Sequence, residues 1–133
     1  MQEGRDMQTK KFHLGDILSI TTGRLVSPRH MDGVYEILNF LTGDNLLTHQ
    51  LPRASHECKP YLLQQFPQLA EVDASSVNTE NYKQWLSEQV AKYGEEFEVK
   101  PIPKGAHQFK DPIVEAAEII GSKKKKIIVV QTD

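Results

Sequence analysis

The stretch SPRHMDGVYEILNFLTG, residues 27–43, carries a clear helix pattern. Ser27 can cap the helix, and Pro28 suits the first helical position, where its missing N–H costs nothing. Gly43 is a good terminator, whereas Gly33 weakens the helix interior by about 1 kcal/mol relative to alanine. One face is apolar at helical spacing, through Met31, Val34, Ile37, Leu38 and Leu41. The stretch therefore predicts an amphipathic helix packed on a core.

The segments on either side of this helix predict a strand before it and a second helix after it. FHLGDILSITTGRLV is rich in β-branched and apolar residues, which favours a strand over Ile17–Leu25, bent or turned at Gly23. In RASHECKPYLLQQFPQL, Pro60 would break an interior hydrogen bond, so this helix is kinked there or begins only shortly before it, and Pro67 helps to end it. The residues that recur helically are Ala54, Cys58, Tyr61, Leu62 and Gln65.

The C-terminal half alternates helices and strands. NTENYKQWLSEQVAKYG, residues 78–94, is the strongest helix pattern, and EFEVKPIP, residues 96–103, alternates as a half-buried edge strand. DPIVEAAEIIG, residues 111–121, repeats the cap, proline, helix and glycine pattern, and KKKKIIVV, residues 123–130, predicts a short strand behind a solvated charge run. The stripe of residues 78–94 suits a core or a subunit interface and comprises Tyr82, Trp85, Leu86, Gln89, Val90 and Tyr93.

The order strand, helix, helix, helix, strand, helix, strand predicts an α+β fold. We expect a small antiparallel or mixed sheet with about four helices, because the regular alternation of a doubly wound fold is missing. The polar residues 1–10 are expected to be a disordered N-terminal segment. Residues 11–133 have a length that suits a single domain, which we expect to bind a nucleotide signal for the reasons below.

Composition and motifs exclude several classes of function. The net charge of −2 gives no global field for DNA or RNA, and no apolar run approaches the roughly 20 residues that span a membrane. The single cysteine, Cys58, excludes an internal disulfide and suits a reducing cytoplasm. No glycine-rich phosphate loop or zinc motif occurs. A metal site from His49, His56 and Cys58, or a Cys58 nucleophile, is disfavoured against a buried core cysteine, so we expect no metal and no cofactor.

Two polar clusters offer binding chemistry. Arginine forks and the start of a helix suit phosphate, acidic and amide side chains suit hydroxyl groups, and an aromatic ring among cations suits a base. The first cluster comprises Arg24, Arg29, His30, Asp44, Asn45, His49 and Arg53. The second comprises Lys104, His107, Phe109 and Lys110. The alternatives left open are a solvated turn with surface arginines for the first cluster, and a core anchor for Phe109.

Two substitutions follow from these clusters. Arg53 lies just before a helix, where its fork can meet a phosphate, so Arg53→Ala is expected to weaken nucleotide capture with the fold intact. Phe109 has no apolar stripe to join, so we expect it in or beside the nucleotide pocket, and Phe109→Ala should weaken binding at an unchanged melting temperature.

The N-terminal half resembles a family of small phage proteins, the first Thoeris anti-defence family. The resemblance covers Phe12 to about Leu69 and depends on the motifs TTGRLVSP, TGDN and THQLPR. It implies a sponge that sequesters cyclic ADP-ribose isomers without catalysis, in the cytoplasm of an infected bacterial host. It also implies a homo-oligomer, a dimer or a hexamer, with shared pockets. Cyclic di- or trinucleotides are a second ligand class that the resemblance leaves open.

Two other functions remain open on the residues alone. A small hydrolase or lyase of nucleotide signals would use His49 as its general acid or base. A protein-binding inhibitor would need no small ligand at all.

Overall fold

The computed structural model describes residues 8–121 of the 133-residue chain. Within this range the chain is a single-domain α+β fold, as predicted, with five helices and a two-stranded antiparallel sheet. The order is β1 (Lys10–His13), α1 (Leu14–Thr22), α2 (Met31–Thr42), a 3-10 turn (Thr48–Gln50), α3 (Leu51–Gln65), a second 3-10 turn (Pro67–Glu71), α4 (Tyr82–Tyr93), β2 (Glu96–Val99) and α5 (residues 112–121). The predicted strand at residues 127–130 lies outside the described residues.

The sheet joins the N-terminal strand to the strand predicted after α4. Lys10 of β1 lies opposite Val99 of β2, and Phe12 lies opposite Phe97. Phe12 and Val99 are buried in the core, whereas Glu96 and Glu98 are exposed, so β2 has the half-buried alternation that its sequence predicts. The two strands thereby close one end of the helical core.

The strand predicted over Ile17–Leu25 is wrong, because this segment forms α1 and the turn that follows it. The Nδ1 atom of His13 accepts a hydrogen bond from the Gly15 N–H at the start of α1, and Gly23 ends the helix with φ 76°. Residues 14–21 are all buried, so the helix has no polar face to give a helical period. Its β-branched composition favours a strand locally, and burial on all sides overrides that preference.

Helix α2 has its predicted C-terminus at Gly43, which adopts φ 74°, but begins at Met31, three residues later than Pro28. The reason is that Ser27 is buried and turns inward. Its Oγ donates to Asp16 at 2.5 Å and accepts from the backbone N–H of Arg29 at 3.1 Å, which caps a turn rather than the helix. The predicted apolar face is buried at Val34, Ile37, Leu38 and Leu41, whereas Met31 is exposed.

Helix α3 is continuous from Leu51 to Gln65 and contains Pro60, so the expectation of a helix beginning only shortly before this proline is wrong. Pro60 and His56, the residue whose carbonyl loses its helical partner, are both exposed, and water can therefore solvate that carbonyl. The opposite face packs on α1 and α2 through Ala54, Cys58 and Leu62, as the helical spacing predicts.

Helix α4 begins at Tyr82, four residues after the start of the predicted segment, and Gly94 closes it as predicted. Its aromatic stripe is only partly buried: Leu86 is buried in the core, and Tyr82, Trp85 and Tyr93 pack against the edge of the core with one side open. No helix between residues 8 and 121 is long and apolar enough to cross a membrane.

Candidate functional site

The structure divides the predicted site residues between two regions and leaves one residue apart. One region joins the loop after α2, the start of α3 and the loop before α5, and contains Asp44, Asn45, His49, Arg53, Lys104, His107, Phe109 and Lys110. The other is a cleft that contains Arg24 and His30. Arg29 lines neither region.

Arg53 is the centre of an internal ion-pair network in the first region. Its Nε and Nη2 atoms each donate to a carboxylate oxygen of Glu115 at 2.8 Å, and Nη1 donates to Glu57 at 2.9 Å and to the Gln108 carbonyl at 2.7 Å. Gln50 donates to Glu115 at 3.0 Å. Both nitrogens at the end of the guanidinium and its Nε are therefore engaged within the protein, and the network ties α5 to α3.

His107 joins the two predicted polar clusters. Its Nδ1 lies 2.5 Å from Glu57 Oε1 and its Nε2 lies 2.9 Å from Asp44 Oδ2, with the side chain 3% exposed. The protonated ring can donate to both carboxylates at once, because imidazolium carries an N–H on each nitrogen. The two clusters thus lie side by side, and His107 and Asp44 contact each other.

The other residues of this region are mainly at the surface. Phe109 is 65% exposed and meets the His107 ring edge-on at 4.6 Å between centroids, so it is no core anchor. The Nε2 atom of His49 lies 2.8 Å from the Pro112 carbonyl oxygen, a contact at the start of α5. Asn45 is exposed, and its backbone N–H donates to Asp44 at 2.7 Å.

The ion pair between Arg53 and Glu115 predicts a pH dependence of the protein's stability. Chiefly through its hydrogen bonds from Arg53, the folded protein lowers the pKa of Glu115 from 4.5 to about 2. The folded state therefore binds fewer protons than the unfolded state between these values, so the contribution of Glu115 to stability is complete above pH 4.5 and is lost as the pH falls towards 2. We expect the free energy of unfolding to fall more steeply in this window for the wild type than for Glu115→Gln, by up to roughly 3 kcal/mol.

Chemical denaturation followed by circular dichroism at several pH values between 2 and 6 measures this difference. All other carboxylates are shared by the two proteins, so the difference in slope reports on Glu115 and on its effect on the other partners of Arg53. Parallel stability profiles would show that the carboxylate of Glu115 titrates alike in the folded and unfolded states.

Arg29 belongs to a separate pair of carboxylates. It donates to the fully buried Asp16 at 2.7 Å and also pairs with Glu36. The hydrogen bond that Arg29 donates to Glu36, and then the one that it donates to Asp16, raise the pKa of Arg29. Lys10 lies 2.5 Å from Glu36 and, with Arg29, lowers the pKa of that carboxyl. The charge of Arg29 is thus balanced within the protein.

The cleft that contains Arg24 and His30 has a volume of about 480 Å³ and lies between the α1–α2 connection and the start of α4. The rings of His30 and Tyr82 meet edge-on with centroids 6.3 Å apart. The Nη1 atom of Arg24 lies 3.4 Å from the Val77 carbonyl oxygen, and within residues 8–121 no carboxylate pairs with this arginine. The remaining residues that line the cleft are Leu25, Val77, Asn78 and Thr79.

The composition of this cleft suits a nucleotide. An arginine without an ion pair is available to a phosphate, an aromatic ring can stack on a base, and amide and hydroxyl groups can bind a ribose. His30 adopts φ 57°, a backbone conformation that residues other than glycine adopt rarely and that recurs at functional sites. We therefore take the Arg24–His30–Tyr82 cleft as the candidate ligand site.

Sequence reasoning missed three residues that organise these regions. Glu57 is four residues after Arg53 on the same helix, a spacing that predicts an ion pair. The helical pattern places Tyr82 in a core or interface stripe, and Glu115 is 62 residues from Arg53, so no local pattern indicates either role.

Cys58 has the environment of a core residue. Its side chain is fully buried in α3, and burial raises the pKa of the thiol to about 12, which disfavours the reactive thiolate. Among residues 8–121, no group of three or more histidine, cysteine, aspartate and glutamate side chains is arranged to hold a metal ion.

Residues 12–72, a little under half of the chain, match the profile of a protein family described as Domain of unknown function (DUF7736). The matched segment runs from β1 to just beyond the second 3-10 turn and includes Arg24 and His30, but not Tyr82. No curated protein and no solved structure gives a significant match. The family description assigns no activity.

Proposed function

We propose that this protein is a non-catalytic sponge that binds and sequesters a cyclic ADP-ribose-type signal in the cytoplasm of an infected bacterial host. The observation that carries the proposal is the Arg24–His30–Tyr82 cleft, where a guanidinium without a carboxylate partner among the described residues lies beside an aromatic ring and polar side chains. The resemblance of Phe12 to about Leu69 to the Thoeris anti-defence proteins supplies the signal class. Cyclic di- or trinucleotides are the second class to test.

Sequestration needs affinity and abundance, because a receptor responds only to the free signal. The two candidate catalytic side chains have structural contacts or are buried, which supports binding over turnover. His49, the base of the hydrolase alternative, contacts the Pro112 carbonyl oxygen, and Cys58 is a buried thiol.

A homo-oligomer is part of the proposal. Besides the family resemblance, three large apolar side chains near or on α5 are exposed: Phe109 at 65%, Ile113 at 80% and Val114 at 53%. Light scattering at micromolar concentration, with and without ligand, distinguishes a dimer or hexamer from a monomer, and a monomer in both conditions would remove this part of the proposal.

The deciding experiment incubates the protein with a cyclic ADP-ribose isomer, measures the free signal, denatures the protein and then chromatographs the released ligand. We expect the free signal to be depleted and to return unchanged after denaturation. A chemically altered signal would instead identify an enzyme, and no depletion would reject capture of that signal.

Variants of the cleft locate the binding site. Tyr82→Leu keeps apolar volume but removes the ring, and stacking on a base contributes about 1–3 kcal/mol, so we expect roughly fivefold to hundredfold weaker binding by calorimetry. Gln84→Ala, an exposed change on the same helix, is the matched control and should bind normally. Equal affinity for wild type and Tyr82→Leu would exclude the ring from the site.

A further inference from the structure

A second groove lies on the other side of Arg24 and is built from two adjoining clefts. One, of about 440 Å³, lies between the end of α1 and the segment 69–75, and the other, of about 300 Å³, lies between the end of α1 and the exposed face of α3. Thr22 and Lys59 line both clefts, so the two clefts adjoin at these side chains.

The groove is positively charged at its centre. Lys59 and His56 are three residues apart on α3 and project from the same face, and Arg24 enters from the end of α1. Within residues 8–121, neither Lys59 nor Arg24 lies within ion-pair distance of a carboxylate, whereas Arg29 and Arg53 are each paired with two. A cation without a protein partner can pair with the phosphate of a ligand.

A buried hydroxyl without a partner lies in the wall of the same groove. Thr21 lines the groove and is 7% exposed, and its Oγ1 is the buried side-chain atom in the described part of the chain that makes no hydrogen bond. Buried polar groups in native proteins are nearly always paired. Because this oxygen has almost no accessible surface, a ligand in the groove can accept a hydrogen bond from it only after the Thr21 side chain rotates its hydroxyl outward.

The far end of the groove is acidic. Asp73 lines it, and the backbone N–H of Ser75 donates to its carboxylate at 2.9 Å and lowers its pKa. An ionised carboxylate repels a second phosphate but accepts hydrogen bonds from hydroxyl groups. The groove therefore has a cationic centre and an acidic far end.

From this polarity we infer that the groove binds a small phosphorylated polyol, with the phosphate at Lys59, His56 and Thr21 and the hydroxyl groups at Asp73. A sugar phosphate has this combination of one compact anion and several adjacent donors. The inference needs only phosphate and hydroxyl chemistry, and it is independent of signal capture at the Arg24–His30–Tyr82 cleft.

Calorimetry with ribose 5-phosphate, inorganic phosphate and ribose tests the inference on the full chain. We expect ribose 5-phosphate to bind best, inorganic phosphate more weakly and ribose not measurably. Lys59→Gln should weaken ribose 5-phosphate binding by about tenfold or more, since it removes a charge-assisted hydrogen bond. Lys100→Gln, an exposed lysine outside the groove, should leave binding unchanged. No binding of ribose 5-phosphate, or equal binding by Lys59→Gln, would overturn the inference.

Two further variants separate the roles of the cationic centre and the acidic end. Asp73→Asn should weaken ribose 5-phosphate binding without weakening phosphate binding, and an equal effect on both would reject the polyol part of the inference. Thr21→Val is nearly isosteric, so it should weaken both ligands while raising the melting temperature of the free protein. If Lys59→Gln lowers the melting temperature and leaves affinity unchanged, Lys59 instead stabilises the carbonyl end of α1.

Tyr82→Leu serves as the cross-check between the two sites. It should impair signal capture and leave ribose 5-phosphate binding intact. Loss of binding at one site can then be distinguished from loss of binding at the other.

Discussion

Replacing Gly33 by alanine is expected to destabilise the protein by about 2–4 kcal/mol, although alanine is the better helix former. The substitution gains about 1 kcal/mol of helix propensity. Against this, a Cβ atom at position 33 would overlap Asp16 Oδ1 and Ser27 Oγ, which are joined by a hydrogen bond in the core. Overpacking costs about 1–3 kcal/mol, and an unpaired buried carboxylate or hydroxyl adds a desolvation penalty.

Urea denaturation of wild type and Gly33→Ala measures the difference. Gly121→Ala is the matched control, because a Cβ at this position of α5 meets no atom of residues 8–121 within 4 Å, and it should change stability little. A Gly33→Ala protein as stable as wild type would show that the Asp16–Ser27 pair moves aside at low cost. Gly33 would then have no packing role, and its only effect would be the lower helix propensity of glycine.

Replacing Arg53 by methionine is expected to cost about 3–5 kcal/mol of stability, because breaking a buried ion pair leaves an uncompensated charge. Glu115 is 5% exposed and would lose both of its hydrogen bonds from the guanidinium, and the Gln108 carbonyl would lose its donor. This expectation replaces the one from sequence, in which the Arg53 fork faces a phosphate and its removal leaves the fold intact.

Arg53→Lys and the double variant Arg53→Met/Glu115→Leu provide the controls. Lysine keeps the charge but cannot form the two-pronged contact, so it should lie between wild type and Arg53→Met. The double variant removes both charges, and it should recover much of the loss if the unpaired carboxylate is its cause. If Arg53→Met unfolds at the wild-type denaturant concentration and loses nucleotide affinity, the guanidinium serves a ligand and not the fold.

In the candidate site, local sequence patterns predict which residues can bind a ligand but not which of them are free to do so. The sequence indicates that Arg24, His30, Arg53 and His107 are chemically capable of binding, because residue type alone determines charge and hydrogen-bond capacity. Only the fold shows which of them have protein partners. Arg53 meets Glu115 at a separation of 62 residues, and His107 meets Asp44 at 63, so both side chains have hydrogen-bond partners within the protein. Arg24 has no carboxylate partner among the described residues.

By itself the sequence determined the elements whose signals are local: the end of α2 at Gly43, helix α4 with its stop at Gly94, and the alternating strand β2. These depend on periodicity and on residues that favour particular backbone angles within a few positions. Tertiary structure alone decided that residues 14–22 form a helix, since their burial on nearly every side removes the amphipathic signal and overrides their β-branched composition. It likewise placed His30 beside Tyr82, 52 positions later, because the packing of α4 against α1 depends on the whole core.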